Sequence, residues 1–185
     1  MSWYCDYAIG DDVHGYYHDN EYGFPEHDDG RLFERLVLEI NQAGLNWGLI
    51  LKKRSAFREA FDHYDIQKIS EYNDTDIERL LNNAEIIRNK LKISSVIHNA
   101  NVVLKLIDEF SSFAMWIEAH HPLKKHEWVK LFKKTFKFTG GEITGEFLMS
   151  IGYLPGTHRT DCPAYQRISK HKPKWAEIGH SFYEE

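Results

Sequence analysis

From Asp29 onward the apolar residues of this chain return at three- and four-residue steps, so that Phe33, Leu36, Val37 and Ile40 share one face of a helix. Strand-like alternation is nearly absent, and the pattern predicts an all-α protein. Further helices are expected at about 54–62, 65–72, 75–81, 89–109, 112–119, 125–135 and 142–151. Thr75 and Glu78 fit a capping box at one helix start, and Gly44 fits the end of the helix that carries Glu39. A short helix, the turn NNAEI and a long helix containing Leu91, Val96, Leu104 and Ile107 form a helical hairpin region at about 65–110. Two helices around such a turn resemble a helix-hairpin-helix, which grips a DNA backbone through turn amides. The stretch after Cys162, PAYQRISKHKPKW, reads as a polar tail.

With 185 residues, 42% of them hydrophobic, the chain can bury a sizeable core, and one domain over 1–185 is expected. MSWYCDYAIGDD has no basic segment leading into an apolar run, and no stretch approaches the roughly 20 apolar residues that span a bilayer. A soluble, cytoplasmic protein without membrane partners is the expectation. The net charge of -5 argues against a protein that coats nucleic acid by bulk attraction. Locally the sign reverses: Lys124, Lys125, Lys130, Lys133, Lys134 and Lys137 outweigh Glu127 between 124 and 137. Such a run is either a solvated helix face or a patch for a polyanion.

Cys5 and Cys162 are the only cysteines, so no disulfide framework holds the fold. Each has a histidine near it: His18 follows Cys5, and HRTDC sets His158 four positions before Cys162. Two thiolates and two imidazoles suit a tetrahedral structural zinc site tying the termini together, with no position left for water. The alternative is a small buried thiol at Cys5 and a loop imidazole at His158. His14, His27, His171 and His180 compete as ligands.

A second concentration lies in YYHDNEYG and LEINQAGLNWGLILKKR, where Glu39 borders an apolar helix face, Trp47 follows, and Tyr16, Tyr17 and Tyr22 come from a preceding loop. Aromatic faces attract a flat cationic ring, and a carboxylate accepts hydrogen bonds from amino groups. Together they describe a pocket for a positively charged purine, although aromatic residues also simply fill cores.

Taken together, YHDNEYG, LEINQAGLNWGLILKKR, TFKF and HRTDC resemble the DNA-3-methyladenine glycosylase I family, in the same order and over nearly the whole chain. The resemblance implies a helix-hairpin-helix DNA glycosylase fold, one structural zinc ion held by Cys5, His18, His158 and Cys162, and excision of 3-methyladenine from alkylated double-stranded DNA. Glu39 matches the glutamate that hydrogen-bonds the base, Tyr17 the pocket tyrosine and Trp47 the stacking tryptophan. That family lacks the catalytic aspartate of its relatives; N3-methylation already makes adenine a good leaving group, so selectivity falls to the pocket that receives the flipped base. Phosphate contacts are expected from the turn at about 82–88 with Arg88, Lys90 and Lys92, assisted by Lys52, Lys53 or the 124–137 patch. A monomer is expected, active at the bacterial nucleoid and releasing free 3-methyladenine.

Several positions depart from the family pattern. Tyr7 and Tyr22 stand where tryptophan is frequent, and His14 where tyrosine is common. Glu85 occupies a hairpin position where glycine is frequent, which raises the prospect of phosphate repulsion or a strained left-handed turn. These departures motivate a rival reading, a non-catalytic paralogue that binds damaged DNA or methylated purine. His18-Asp19 and His27-Asp28 motivate another, an HD-type metal phosphohydrolase.

Overall fold

A computed structural model describes residues 4–184. Among these the chain is all-helical: α1 (Cys5–Ala8), α2 (Gly15–Asn20), α3 (Asp29–Gln42), α4 (Trp47–Ala60), α5 (Ile66–Ser70), α6 (Asp74–Asn82), α7 (Lys90–Phe110), α8 (Phe113–His120), α9 (Lys125–Thr135), α10 (Gly141–Ser150), α11 (Pro163–Lys170), α12 (Lys174–Ile178) and α13 (His180–Tyr183).

α3 lies at the centre, against α4, α7, α8 and α10. Asp28 starts it by accepting the Arg31 amide at 2.9 Å. Gly44, at φ +78°, turns the chain away beyond its end, as expected. Every residue from Leu32 to Asn41 is buried, so its charged groups need partners. Arg54 and Arg58 reach Glu34 at 2.8 and 2.7 Å. The Arg35 guanidinium donates to the carbonyls of Glu21 and Ser150 at 2.9 and 2.7 Å. Arg54 also forks onto both oxygens of Glu21. Burial raises the pKa of Glu21, but the hydrogen bonds and charge of Arg54, with Arg35 behind, outweigh it and hold the carboxyl below its ordinary range. This network pins the residue 21 segment and α4 onto α3.

Several sequence expectations shift. α4 begins at Trp47, well before the expected residue 54, because the Asn46 side chain accepts the Gly48 amide at 2.7 Å and offsets the poor helix propensity of that glycine. A Cβ at Gly48 would meet His14 Nε2 at 2.8 Å, so a larger residue there would require the imidazole to shift. The capping box of α6 is Asn73 with Asp76 rather than Thr75 with Glu78, since Asn73 has the extended backbone a cap requires. YYHDNEYG supplies α2 instead of a loop. Leu91 is 72% exposed rather than buried, because it lies in the first turn of α7, before Ile93 and Val96 enter the core. The segment after Cys162 is no polar tail: α11 buries Ala164 and Ile168 one turn apart, and Trp175 of α12 is buried too.

α6, the turn at 83–89 and α7 form the hairpin. Glu85 is not among the described residues with positive φ, so the left-handed strain expected there is absent. Asn83 Oδ1 accepts the Glu85 amide at 2.9 Å, and Lys53 Nζ donates to the carbonyls of Ala84 and Glu85. No helix among the described residues is long and apolar enough to cross a membrane.

Candidate active site

Four walls enclose a cavity of about 460 Å³, within the size range of small-ligand pockets. α3 supplies Glu39 and Gln42, three residues apart on one face. The first turn of α4 supplies Trp47. The N-terminal segment supplies Tyr4, Tyr7, Tyr17 and Tyr22, while α10 supplies Glu146 and Met149, with Gly156 and Thr157 beyond it.

The tyrosines brace one another. Ring centroids stand 5.2 Å apart for Tyr17 and Trp47, 5.6 Å for Tyr17 and Tyr22, and 5.3 Å for Tyr4 and Tyr22, spacings at which aromatic pairs attract. Tyr17 and Tyr22 are buried, whereas Tyr7 is 55% exposed. Tyr7 therefore belongs to the mouth. His14 lies outside this lining; its Nδ1 is hydrogen-bonded to the Tyr4 hydroxyl at 2.9 Å, and it borders a second cleft with Asp11, Gly48 and Lys52. It thus contacts Tyr4 and adjoins Gly48 in the first turn of α4.

Glu39 is buried, and burial first, with the Glu146 charge second, holds its carboxyl well above the ordinary range. Glu146 is raised as well, by burial; the Tyr22 hydroxyl, donating at 3.0 Å, acts against that rise. Sequence reading located Glu39, Tyr17, Tyr22, Trp47 and Tyr7 but missed Tyr4, Gln42, Glu146, Met149, Gly156 and Thr157. Tyr4 had a signal in standing beside Cys5. Glu146 had none, because an acidic residue in GEITGEF looks like any exposed helix position.

Beside the pocket, Cys5, His18, His158 and Cys162 are all buried, with one ligand atom from each lying within 4.8 Å of the others. Cys5 Sγ is 3.6 Å from His158 Nδ1, Cys162 Sγ is 3.7 Å from His18 Nε2 and 3.8 Å from His158 Nδ1, and the two ring nitrogens are 3.1 Å apart. Tetrahedral zinc–sulfur and zinc–nitrogen bonds imply edges of roughly 3.6 Å for S···N and roughly 3.3 Å for N···N. The donor set therefore fits a tetrahedral thiophilic metal ion. The other ring nitrogens are engaged, His18 Nδ1 with Asp19 at 2.7 Å and His158 Nε2 with the Tyr22 carbonyl at 2.8 Å, contacts that orient imidazole ligands. Burial lowers the His158 pKa to about 4, which leaves the neutral ring that binds metals.

The other HD pair does not build a metal centre. His27 is exposed, and the Asp28 side chain caps α3. Of the expected phosphate contacts, Arg88, Lys90 and Lys52 are exposed. Lys92 is not available for that role: it is buried, with Nζ donating to the carbonyls of Asn41 and Ala43 at 2.8 Å each. Lys53 is held by the hairpin carbonyls. Sequence could not separate these lysines, since their burial depends on contacts between distant helices.

The methyladenine glycosylase family model matches residues 7–165. The chain is 34% identical to the DNA-3-methyladenine glycosylase of Haemophilus influenzae over 182 residues, covering 88% of this chain and 98% of that protein. It is 33% identical to DNA-3-methyladenine glycosylase 1 of Escherichia coli over 180 residues, covering 87% and 96%. It also superposes on a 3-methyladenine DNA glycosylase I from Staphylococcus aureus, solved to explain 3-methyladenine recognition, with a TM-score of 0.78 at 29% identity over 86% of this chain and 95% of that one. The all-helical fold, the aromatic and carboxylate pocket and these likenesses agree, and the chain belongs to the methyladenine glycosylase family.

Proposed function

We propose that this protein is a DNA repair glycosylase that hydrolyses the N-glycosidic bond of 3-methyladenine in alkylated double-stranded DNA, acting as a cytoplasmic monomer at the nucleoid. The observation that carries the reading is the buried Glu39 in a cavity walled by Tyr17, Tyr22 and Trp47. In DNA, N3-methylated adenine is a flat cation and a good leaving group. A pocket that stacks it on aromatic faces and offers a carboxylate to its amino edge selects it from ordinary bases. The base must first leave the duplex, at a cost of about a few kcal/mol. Arg88 and Lys90 by the hairpin and Lys52 at the second cleft are the phosphate contacts in this reading.

Glu39 receives and orients the flipped base. Burial favours its neutral form before the base arrives, and a purine cation favours the carboxylate, so recognition is coupled to release of a proton. Water then completes hydrolysis at the sugar carbon. Cys5, His18, His158 and Cys162 would hold one structural zinc ion, which supplies a cross-link between the two ends of the chain. The four side chains fill its tetrahedron, so they fix the tyrosine-bearing segment and touch no substrate. With α11 clasped to α2 in this way, residues 4–184 form one folding unit, expected to melt in a single transition.

Incubation of the protein with methylated DNA, followed by chromatography of the released bases, tests the reading. Free 3-methyladenine is expected. Metal-replete, folded protein that binds methylated DNA but releases no base would instead point to the non-catalytic reading.

A further inference from the structure

Within the pocket reading above, on which this inference rests, the lining carboxylate other than Glu39 has no assigned task. Glu146 lines the cavity from α10, as Glu39 does from α3. Its carboxylate is part-buried and accepts the Tyr22 hydroxyl at 3.0 Å across 124 residues of sequence. Tyr22 is itself buried and packs on Tyr17 and Tyr4. The carboxylate is thus held at the cavity wall by a residue of the aromatic cage.

We propose that Glu146, positioned by Tyr22, is a second purine-facing carboxylate that makes this pocket prefer bases with a formal positive charge over neutral purines of the same shape. A simple wall would use an apolar or neutral residue there, because two carboxylates in one part-buried cavity repel each other and lose solvation. Both carboxyls are pushed upward by burial, and Glu39 further by Glu146. A cation in the cavity relieves that repulsion, whereas a neutral base does not. Exposed Lys125 and Glu142, with Lys125 Nζ 3.8 Å from the Glu142 carboxylate, also act on Glu146, Lys125 favouring its charged form and Glu142 opposing it, and neither lines the cavity.

Chemistry gives this preference a use. The methylated base is cationic while attached to the sugar and neutral once released at neutral pH. A charge-selective pocket holds the substrate and lets the product go.

The test compares two probes by isothermal titration calorimetry at neutral pH: 3,9-dimethyladeninium, which is cationic there, and free 3-methyladenine, which is neutral. Glu146→Gln is expected to weaken binding of the cation about tenfold and of the neutral purine less than about twofold. Tyr22→Phe, which leaves the carboxylate but removes its donor and is nearly isosteric, is expected to cut the cation preference about threefold. Equal losses on both probes, or an unchanged preference in both variants, would overturn the assignment. Wild-type protein that binds neither probe would remove the purine pocket itself, and with it this inference. Wild-type binding with an unaltered variant preference sinks the role of Glu146 alone.

Discussion

Glu39 illustrates how one residue places function against stability. Its carboxyl is held above the ordinary range by burial, so the proton is bound more tightly in the folded than in the unfolded protein. Below the unfolded pKa both states carry the proton and nothing is lost. As pH rises from there through the folded pKa, the fold forfeits stability, because the charged form is disfavoured inside. Glu39→Gln is therefore expected to raise the melting temperature at pH 7, with the gain vanishing near pH 4, while lowering excision of 3-methyladenine at least about tenfold by loss of the charge. Thermal melts across pH, paired with base release, check both halves; a variant as active as wild type would remove Glu39 from the recognition step. Glu39 was legible because its neighbours in sequence are unusual. Glu146 was not, since its meaning comes from Tyr22, which lies 124 positions away.

At the scale of elements, the connection between α3 and α4 carries Glu39 on one side and Trp47 on the other, and Lys92 of α7 holds it. The ammonium donates to Asn41 and Ala43, carbonyls left unpaired at the end of α3. Burial lowers the pKa of Lys92, the cost of keeping a charge there. Lys92→Met removes the donors but keeps much of the volume. The expected loss is about 2 kcal/mol, read as a drop of roughly 4–8 °C in melting temperature, with a rise in KM for methylated DNA. A variant with weaker DNA binding but unchanged stability would show that Lys92 touches phosphate after all. For Arg88 and Lys90 the expectation is the reverse: alanine substitution should leave the melt within about 0.5 kcal/mol and weaken DNA binding across all sequences. Each substitution should reduce the slope of log K against log salt by about 1, and an unchanged slope would move the DNA surface elsewhere.

The long helices were legible because tertiary packing agreed with their apolar period; α3, α7 and α9 lie within a residue or so of expectation. The misreadings fall where one polar side chain decides the backbone. Asn46 draws the start of α4 forward, and Asn73 takes the cap from Thr75. Local pattern cannot rank two polar residues that both have capping chemistry, because the winner is set by the path of the incoming chain.

For the molecule as a whole, the Cys and His cluster joins the N-terminal segment to the region around α11, alongside the ion pairs of Arg159 with Asp6 and Arg167 with Asp19. Cys5, Cys162 and Ala164 form a small apolar core separate from the main one, and Gly23 passes so close to Thr157 that a Cβ would sit 2.7 Å from its hydroxyl. Cys162→Ser is expected to abolish one equivalent of bound zinc, measured by elemental analysis. It should also lower the melting temperature by roughly 6–12 °C, equivalent to about 3 kcal/mol. Retention of both metal and stability would assign the cysteines to packing only.

The cluster also sets an order in time. His18 and Cys5 wait for partners 140 and 153 positions further along, and the pocket residues Tyr7 and Tyr17 lie between these two in the chain. During synthesis α3 can meet α4 early, but the cavity lacks part of its lining until α10 and residue 157 have been made. A ribosome that stalls before that point would leave a half-built helical body with no place to receive a base.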